Sequence, residues 1–213
     1  FERYVRYVVG NLKKEVVFWM TLNEPTSIIG AAYMRGSWPP RKRSFILALR
    51  AFLVLARAHT RAYKVIHEIR HDAHVGCGLG LWYVEPRRRW SLLDRCAAGF
   101  YRFFANHYFF RLTGMAVHDY IGVQQYRYFY VGFPVILKSP KVPVSDMGWE
   151  LMPEGTFKIL MEMQRYGKPL YITEHGLADA QDKNRVWFMR EATKNVQRAI
   201  KEGVDVRGYF YWS

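Results

Sequence analysis

Phe18-Trp19-Met20-Thr21-Leu22-Asn23-Glu24-Pro25 and, far downstream, Pro169-Leu170-Tyr171-Ile172-Thr173-Glu174-His175-Gly176 decide how this 213-residue chain is read. In each, an apolar or β-branched run reads as a buried strand and ends in a polar tip carrying a glutamate. A proline or glycine then breaks the strand. Two carboxylates delivered by strand ends are the minimum equipment for general acid and nucleophile chemistry at a glycosidic bond.

Working outward, strand-like and helix-like segments alternate. Phe1 to Lys14 carries apolar residues at helical period, and Glu15 to Leu22 reads as a strand followed by a loop with Gly30, Gly36, Pro39 and Pro40. Ser44 is placed to cap a long amphipathic helix to about Ile69, with Ile46, Leu49, Phe52, Leu53, Ala56, Tyr63 and Ile66 on its apolar face. Val75 to Val84 is a glycine-rich strand stopped by Pro86, Ser91 to Leu112 is helical, and Asp119 to Tyr130 is a strand. Pro153 and Glu154 suit the first turn of a helix to Arg165. Leu170 to Thr173 is a strand, Asp182 to Glu202 a helix closed by Gly203, and Val206 to Trp212 a last strand. Such alternation predicts βαβ units and a parallel sheet covered on both sides, with reactive groups at the carboxyl ends of its strands.

Half the residues are hydrophobic and 17% are aromatic, which excludes a disordered chain. Two cysteines, Cys77 and Cys96, cannot make a disulfide framework, and no Cys/His cluster has zinc spacing. Both read as thiols of a reducing, cytoplasmic interior. No apolar run reaches the roughly 18 residues that span a membrane. The net charge of +14 includes the clusters Arg41-Lys42-Arg43, Arg87-Arg88-Arg89 and Arg102 to Arg111. A polyanion-binding surface needs such residues on one contiguous face. No nucleic-acid-binding pattern accompanies them, so nucleic acid is not an expected partner.

Thr21-Leu22-Asn23-Glu24-Pro25 resembles the T-x-N-E-P motif of glycoside hydrolase family 1, and Tyr171 to Gly176 is similar to that family's I/V-T-E-N-G. Ser145-Asp146-Met147-Gly148-Trp149-Glu150, Pro153-Glu154-Gly155, Asp119 to Val123 and Gly208 to Ser213 resemble further family motifs in the right order. The resemblance implies an α/β fold, the (β/α)8 TIM barrel, of which this chain would supply about the last five strands. It implies a retaining β-glycosidase that acts on β-glucosides or β-galactosides without metal or cofactor.

Under that resemblance Glu24 is the general acid/base, kept protonated by burial and by the nearby anion, and Glu174 is the nucleophile. Retention by such a pair calls for carboxyl groups about 5–5.5 Å apart. Asn23 would bond the sugar 2-hydroxyl, and the Tyr126 hydroxyl would touch the nucleophile. Gln124 would line the same site. Trp212 would form an apolar platform under the glycone and Trp149 would line the aglycone side. A non-proline cis peptide is expected at Trp212-Ser213. His59, on its helix, reads as a structural histidine, and His107 and His118 receive no role.

Three departures stand out. Gln124-Gln125 replaces the family's usual Asn-Tyr, and His175 replaces the asparagine after the nucleophile. His175 could support the nucleophile by hydrogen bonding or, if protonated, alter its pKa. Third, a complete barrel takes about 250 residues, so the chain reads as one partial barrel domain, 1–213, truncated at both ends. The segments expected to be missing carry further glycone-binding residues of the family. A catalytically inactive relative with a carbohydrate-binding or structural role is the alternative. The oligomeric state and the sugar stay open.

Overall fold

The computed structural model describes residues 1–137 and 142–212. The strands are β1 (Phe18–Asn23), β2 (His74–Pro86), β3 (Tyr120–Gly132), β4 (Val135–Leu137), β5 (Leu170–His175) and β6 (Val206–Tyr211). The α-helices are α1 (Glu2–Leu12), α2 (Pro25–Ile29), α3 (Phe45–Ile69), α4 (Leu92–Arg102), α5 (Tyr108–Thr113), α6 (Glu154–Met163) and α7 (Arg185–Lys201). The hydrogen-bonded order is β1-β2-β3-β5-β6, with β4 folded back on β3. β1 runs parallel to β2 and β5 parallel to β6, as strands joined by helical crossovers must. The short antiparallel β4 after the Phe133-Pro134 turn was not expected from the sequence.

The chain divides into two compact units, one formed by Phe1–Leu79 with Tyr108–Gly122, the other by Gly80–His107 with Val123–Ser213. In the first, α1 packs on α3 over a core of Val5, Val9, Ala62, Val65, Ile66, Ala73 and Val75. Ser44 caps α3 as expected, its hydroxyl accepting from the Leu47 amide at 3.3 Å, a contact worth about 1 kcal/mol. The segment expected as a loop after Glu24 instead begins with α2 and continues as a π-helical stretch, Gly30–Arg35. Pro25 at its first position favours that start, because it lacks the N–H that a first turn leaves unpaired.

In the second unit, α4, β2 and β3 meet over Val84, Ala98, Phe129 and Val131, while Leu151, Leu177 and Phe188 form a separate cluster with Tyr211 packed on it. The helix expected over Ser91 to Leu112 is interrupted by π-helical Phe103–His107. Asn106 explains the break. Its amide donates to the Trp82 carbonyl and accepts from the Trp82 amide, both at 2.9 Å, so the side chain pairs with strand β2 as a backbone would. The extra residue in the turn aims it there.

Candidate active site

In the first unit, β1 delivers Asn23 and Glu24. Backbone geometry governs Glu24. Its amide donates to the Gly78 carbonyl of β2 at 2.8 Å, and its carbonyl accepts from Ile28 at 3.0 Å to open α2. Between those bonds the residue takes φ 43° and ψ 54°, the left-handed region that non-glycine residues rarely occupy. Pro25 bears on this choice: the residue before a proline is pushed out of the right-handed helical region. Strain of this kind costs about 1–3 kcal/mol and concentrates at functional sites. Asn23 is exposed and Glu24 half-buried.

Behind this strand end stands the histidine that the sequence reads as structural, though its partners could not be named from the sequence. His59, fully buried on α3, meets the Thr21 hydroxyl through Nδ1 at 2.6 Å and the Val117 carbonyl through Nε2 at 2.8 Å. A carbonyl only accepts, so Nε2 carries the proton and Nδ1 accepts from Thr21. Burial pushes the His59 pKa down to about 4, holding it neutral. His118 stacks on it with ring centroids 4.3 Å apart. The signal was available: His59 lies on the apolar face of its helix, where a polar ring needs partners.

In the second unit, Glu174 lies within β5, which runs two residues beyond the expected end at Thr173. Here side chains of β3 do the aiming. The buried Gln124 donates through Nε2 to Glu174 Oε1 at 2.7 Å, and the Tyr126 hydroxyl donates to Oε2 at 3.2 Å. Each carboxylate oxygen thus has its own donor. The Tyr126 hydroxyl is in contact with Glu174, and Gln124 reaches the same carboxylate directly despite departing from the family pattern. Trp149 packs against Tyr126 with ring centroids 5.6 Å apart, and the Arg127 guanidinium lies 5.4 Å from the centre of its ring.

His175 points the other way from Glu174, as successive strand residues do. It is buried among Thr156, Tyr209 and Phe188. Burial lowers its pKa to about 4, so it is neutral at neutral pH and brings no cation to the neighbourhood of Glu174. Gly176 follows because nothing larger fits: a Cβ there would lie 1.9 Å from the Trp212 carbonyl oxygen. That close approach belongs to β6, whose next residue, Trp212, donates its amide to the His175 carbonyl at 3.1 Å. Trp212 is 60% exposed, leaving an open indole at the strand's carboxyl end. The cis peptide expected at Trp212-Ser213 lies outside the described residues.

The arginine clusters are partly engaged within the fold. Arg88 makes a bidentate pair with the buried Asp94 at 2.8 Å to each oxygen, and Arg89 pairs with Glu85 at 3.3 Å. The Arg88 guanidinium, helped by the Phe133 and Arg88 amides, holds the Asp94 carboxyl far below the usual range. Among the described residues, no helix is long and apolar enough to cross a membrane.

Two segments, 1–128 and 115–213, match the profile of Glycosyl hydrolase family 1, together covering the chain. A β-galactosidase of Sulfolobus acidocaldarius is 31% identical over all of this chain and 50% of the relative, and β-glucosidase A of Thermotoga maritima is 29% identical over all of it and 58% of the relative. The solved structure of a Thermotoga maritima β-glucosidase with deoxynojirimycin superposes with TM-score 0.90 at 28% identity, covering this whole chain and 58% of that one. A hyperthermophilic β-glucosidase mutant superposes with TM-score 0.92 at 30% identity, over the whole chain and 50% of its own. The chain spans about half the length of the curated relatives it matches. It is part of a (β/α)8 barrel, and it belongs to glycosyl hydrolase family 1.

Proposed function

We propose that the protein of which these residues form part is a retaining β-glycosidase acting on β-glucosides or β-galactosides. The observation that carries the reading is the grip on Glu174, whose two oxygens take separate donors from Gln124 and Tyr126. That grip fixes a carboxylate at a strand end in one orientation, as a nucleophile attacking along a defined line requires.

Glu174 attacks the anomeric carbon. The glycosidic C–O bond breaks, and Glu24 gives its proton to the leaving oxygen. A glycosyl ester on Glu174 results. Water then attacks the same carbon, Glu24 takes the water's proton, and the ester bond to Glu174 breaks to restore both carboxyls. Asn23 bonds the sugar 2-hydroxyl as the ring approaches an oxocarbenium ion, and Trp212 and Trp149 offer apolar faces to sugar C–H groups. The steps call for no metal or cofactor. We place the protein in a reducing cytoplasm, in keeping with its two free thiols, Cys77 and Cys96.

The test uses the full-length gene product on nitrophenyl β-glucoside and β-galactoside. Glu174→Gly is expected to lose turnover by a factor on the order of 10⁴ or more. Azide should partly restore it and yield the inverted α-glycosyl azide. Unchanged hydrolysis in that variant, or an inactive unsubstituted protein, would overturn the reading and leave a carbohydrate-binding or structural role.

A further inference from the structure

The face of β5 opposite Glu174 carries a second polar construction. His175 Nδ1 lies 2.9 Å from the Tyr209 hydroxyl of β6, and its Nε2 lies 3.0 Å from the Thr156 hydroxyl of α6. Thr156 in turn donates to Gln125 Oε1 of β3 at 3.2 Å, and Gln125 Nε2 donates to the Arg127 carbonyl at 3.3 Å. Only one arrangement of protons satisfies the whole set. Thr156 has a single hydroxyl proton and gives it to Gln125, so it accepts from His175 Nε2–H. Nδ1 is then bare and accepts from Tyr209. The Tyr209 phenol suits a donor's part, since burial pushes its pKa up to about 12.

The chain ties β3, α6, β5 and β6 together at one level. Gln125 sits between Gln124 and Tyr126, and His175 follows Glu174 directly. Because side chains alternate along a strand, the carboxylate grip occupies one face and this lock the other. Any slip of β5 against β3 would break both. Gln125 and His175 are two of the residues at which the chain departs from the family pattern, and the Thr156 hydroxyl joins them.

We propose that His175, fixed as its neutral Nε2–H tautomer between Tyr209 and Thr156, is a positioning residue that sets Glu174 against Gln124 and Tyr126. The proposal rests on the reading of Glu174 as nucleophile. Its test is spectroscopic and does not depend on turnover.

The full-length gene product is labelled with ¹⁵N at histidine rings and at glutamine side chains. In the unsubstituted protein His175 should show one tautomer, protonated at Nε2. Thr156→Val removes the hydroxyl at nearly constant shape. It should mix the tautomers and speed solvent exchange of the Gln124 side-chain amide at least about tenfold, as the grip on Glu174 loosens. Thr156→Ser should restore both signals. Tyr209→Phe, which deletes only the donor to Nδ1, should keep the Nε2–H tautomer yet still speed the Gln124 exchange, and it serves if Thr156→Val fails to fold. A proton on Nδ1 in the unsubstituted protein overturns the proposal. So does a Gln124 amide that exchanges unchanged in the folded valine or phenylalanine variant. Failure of azide rescue at Glu174 would instead count against the nucleophile.

Discussion

Glu24 directly follows strand β1 in one unit and Glu174 is the penultimate residue of strand β5 in the other, yet the first is aimed by its backbone and the second by neighbouring side chains. At Glu24 the chain itself bends into the left-handed region between a strand bond and a helix start. At Glu174 the backbone stays in the strand, and donors from β3 orient the carboxylate. The difference suits the parts proposed for them. A proton shuttle serves two steps and benefits from being placed at a turn. A nucleophile must hold one line of attack. What the two ends share is a neutral, buried histidine behind the strand, His59 in one case and His175 in the other.

That shared device gives the largest expected effect. Both histidines have their pKa lowered by burial, from 6.5 to about 4. The unfolded chain therefore takes up their protons first as pH falls, and stability is complete only above the unfolded value. It should decline as pH drops below about 6.5 and go on declining toward pH 4, by about 1.4 kcal/mol per pH unit for each histidine. Depressed carboxylates such as Asp119, Asp179 and Glu85 lose their contribution only below their ordinary values near 3.8 and 4.5, so the window above about 4.5 belongs to the histidines. Urea unfolding at stepped pH measures the slope. His59→Gln or His175→Gln should each remove about half of it. A slope untouched by either would break the likeness between the two strand ends.

Much of this arrangement was legible in the sequence. The two strand-end glutamates, the Ser44 cap and the partnership of Tyr126 with Glu174 all follow from local patterns and the resemblance those patterns carry. The rest depends on partners far away along the chain. His59 could be placed on an apolar helix face, but not against Thr21, which lies 38 positions before it. The break at Phe103–His107 exists because Asn106 replaces a backbone neighbour for Trp82, an event that helical periodicity cannot register. Gln124 was legible as a departure from the family's usual asparagine, but not as a partner of Glu174. A glutamine and an asparagine differ by one methylene, and whether the longer reach finds a carboxylate depends on the spacing of two strands.

The side-chain half of the comparison predicts an intermediate effect. Gln124→Leu keeps the volume and removes the donor at 2.7 Å from Glu174 Oε1. Hydrogen bonds to charged groups contribute about 1.5–3 kcal/mol, so the variant should lose about 2 kcal/mol of stability in urea. A double-mutant cycle with Glu174→Leu should recover a coupling above about 1 kcal/mol, because the two groups are in contact. Additive losses would mean that Gln124 does not hold the carboxylate.

The smallest effect tests the contrast most directly, since one pair of substitutions should act with opposite sign at the two glutamates. Alanine and glycine both remove the carboxylate, so their difference reports on the backbone alone. At position 24 the left-handed conformation costs alanine about 1–2 kcal/mol that glycine does not incur. Glycine's greater freedom in the unfolded chain offsets part of that, about 0.4–1 kcal/mol. Glu24→Gly should therefore be more stable than Glu24→Ala by a few tenths to about 1 kcal/mol. Position 174 lies inside β5, where glycine has the entropic penalty and no strain to relieve. There Glu174→Gly should be less stable than Glu174→Ala by about 0.5–1 kcal/mol. Urea midpoints of the four variants decide it. The same sign at both positions would show that Glu24 is not aimed by backbone strain.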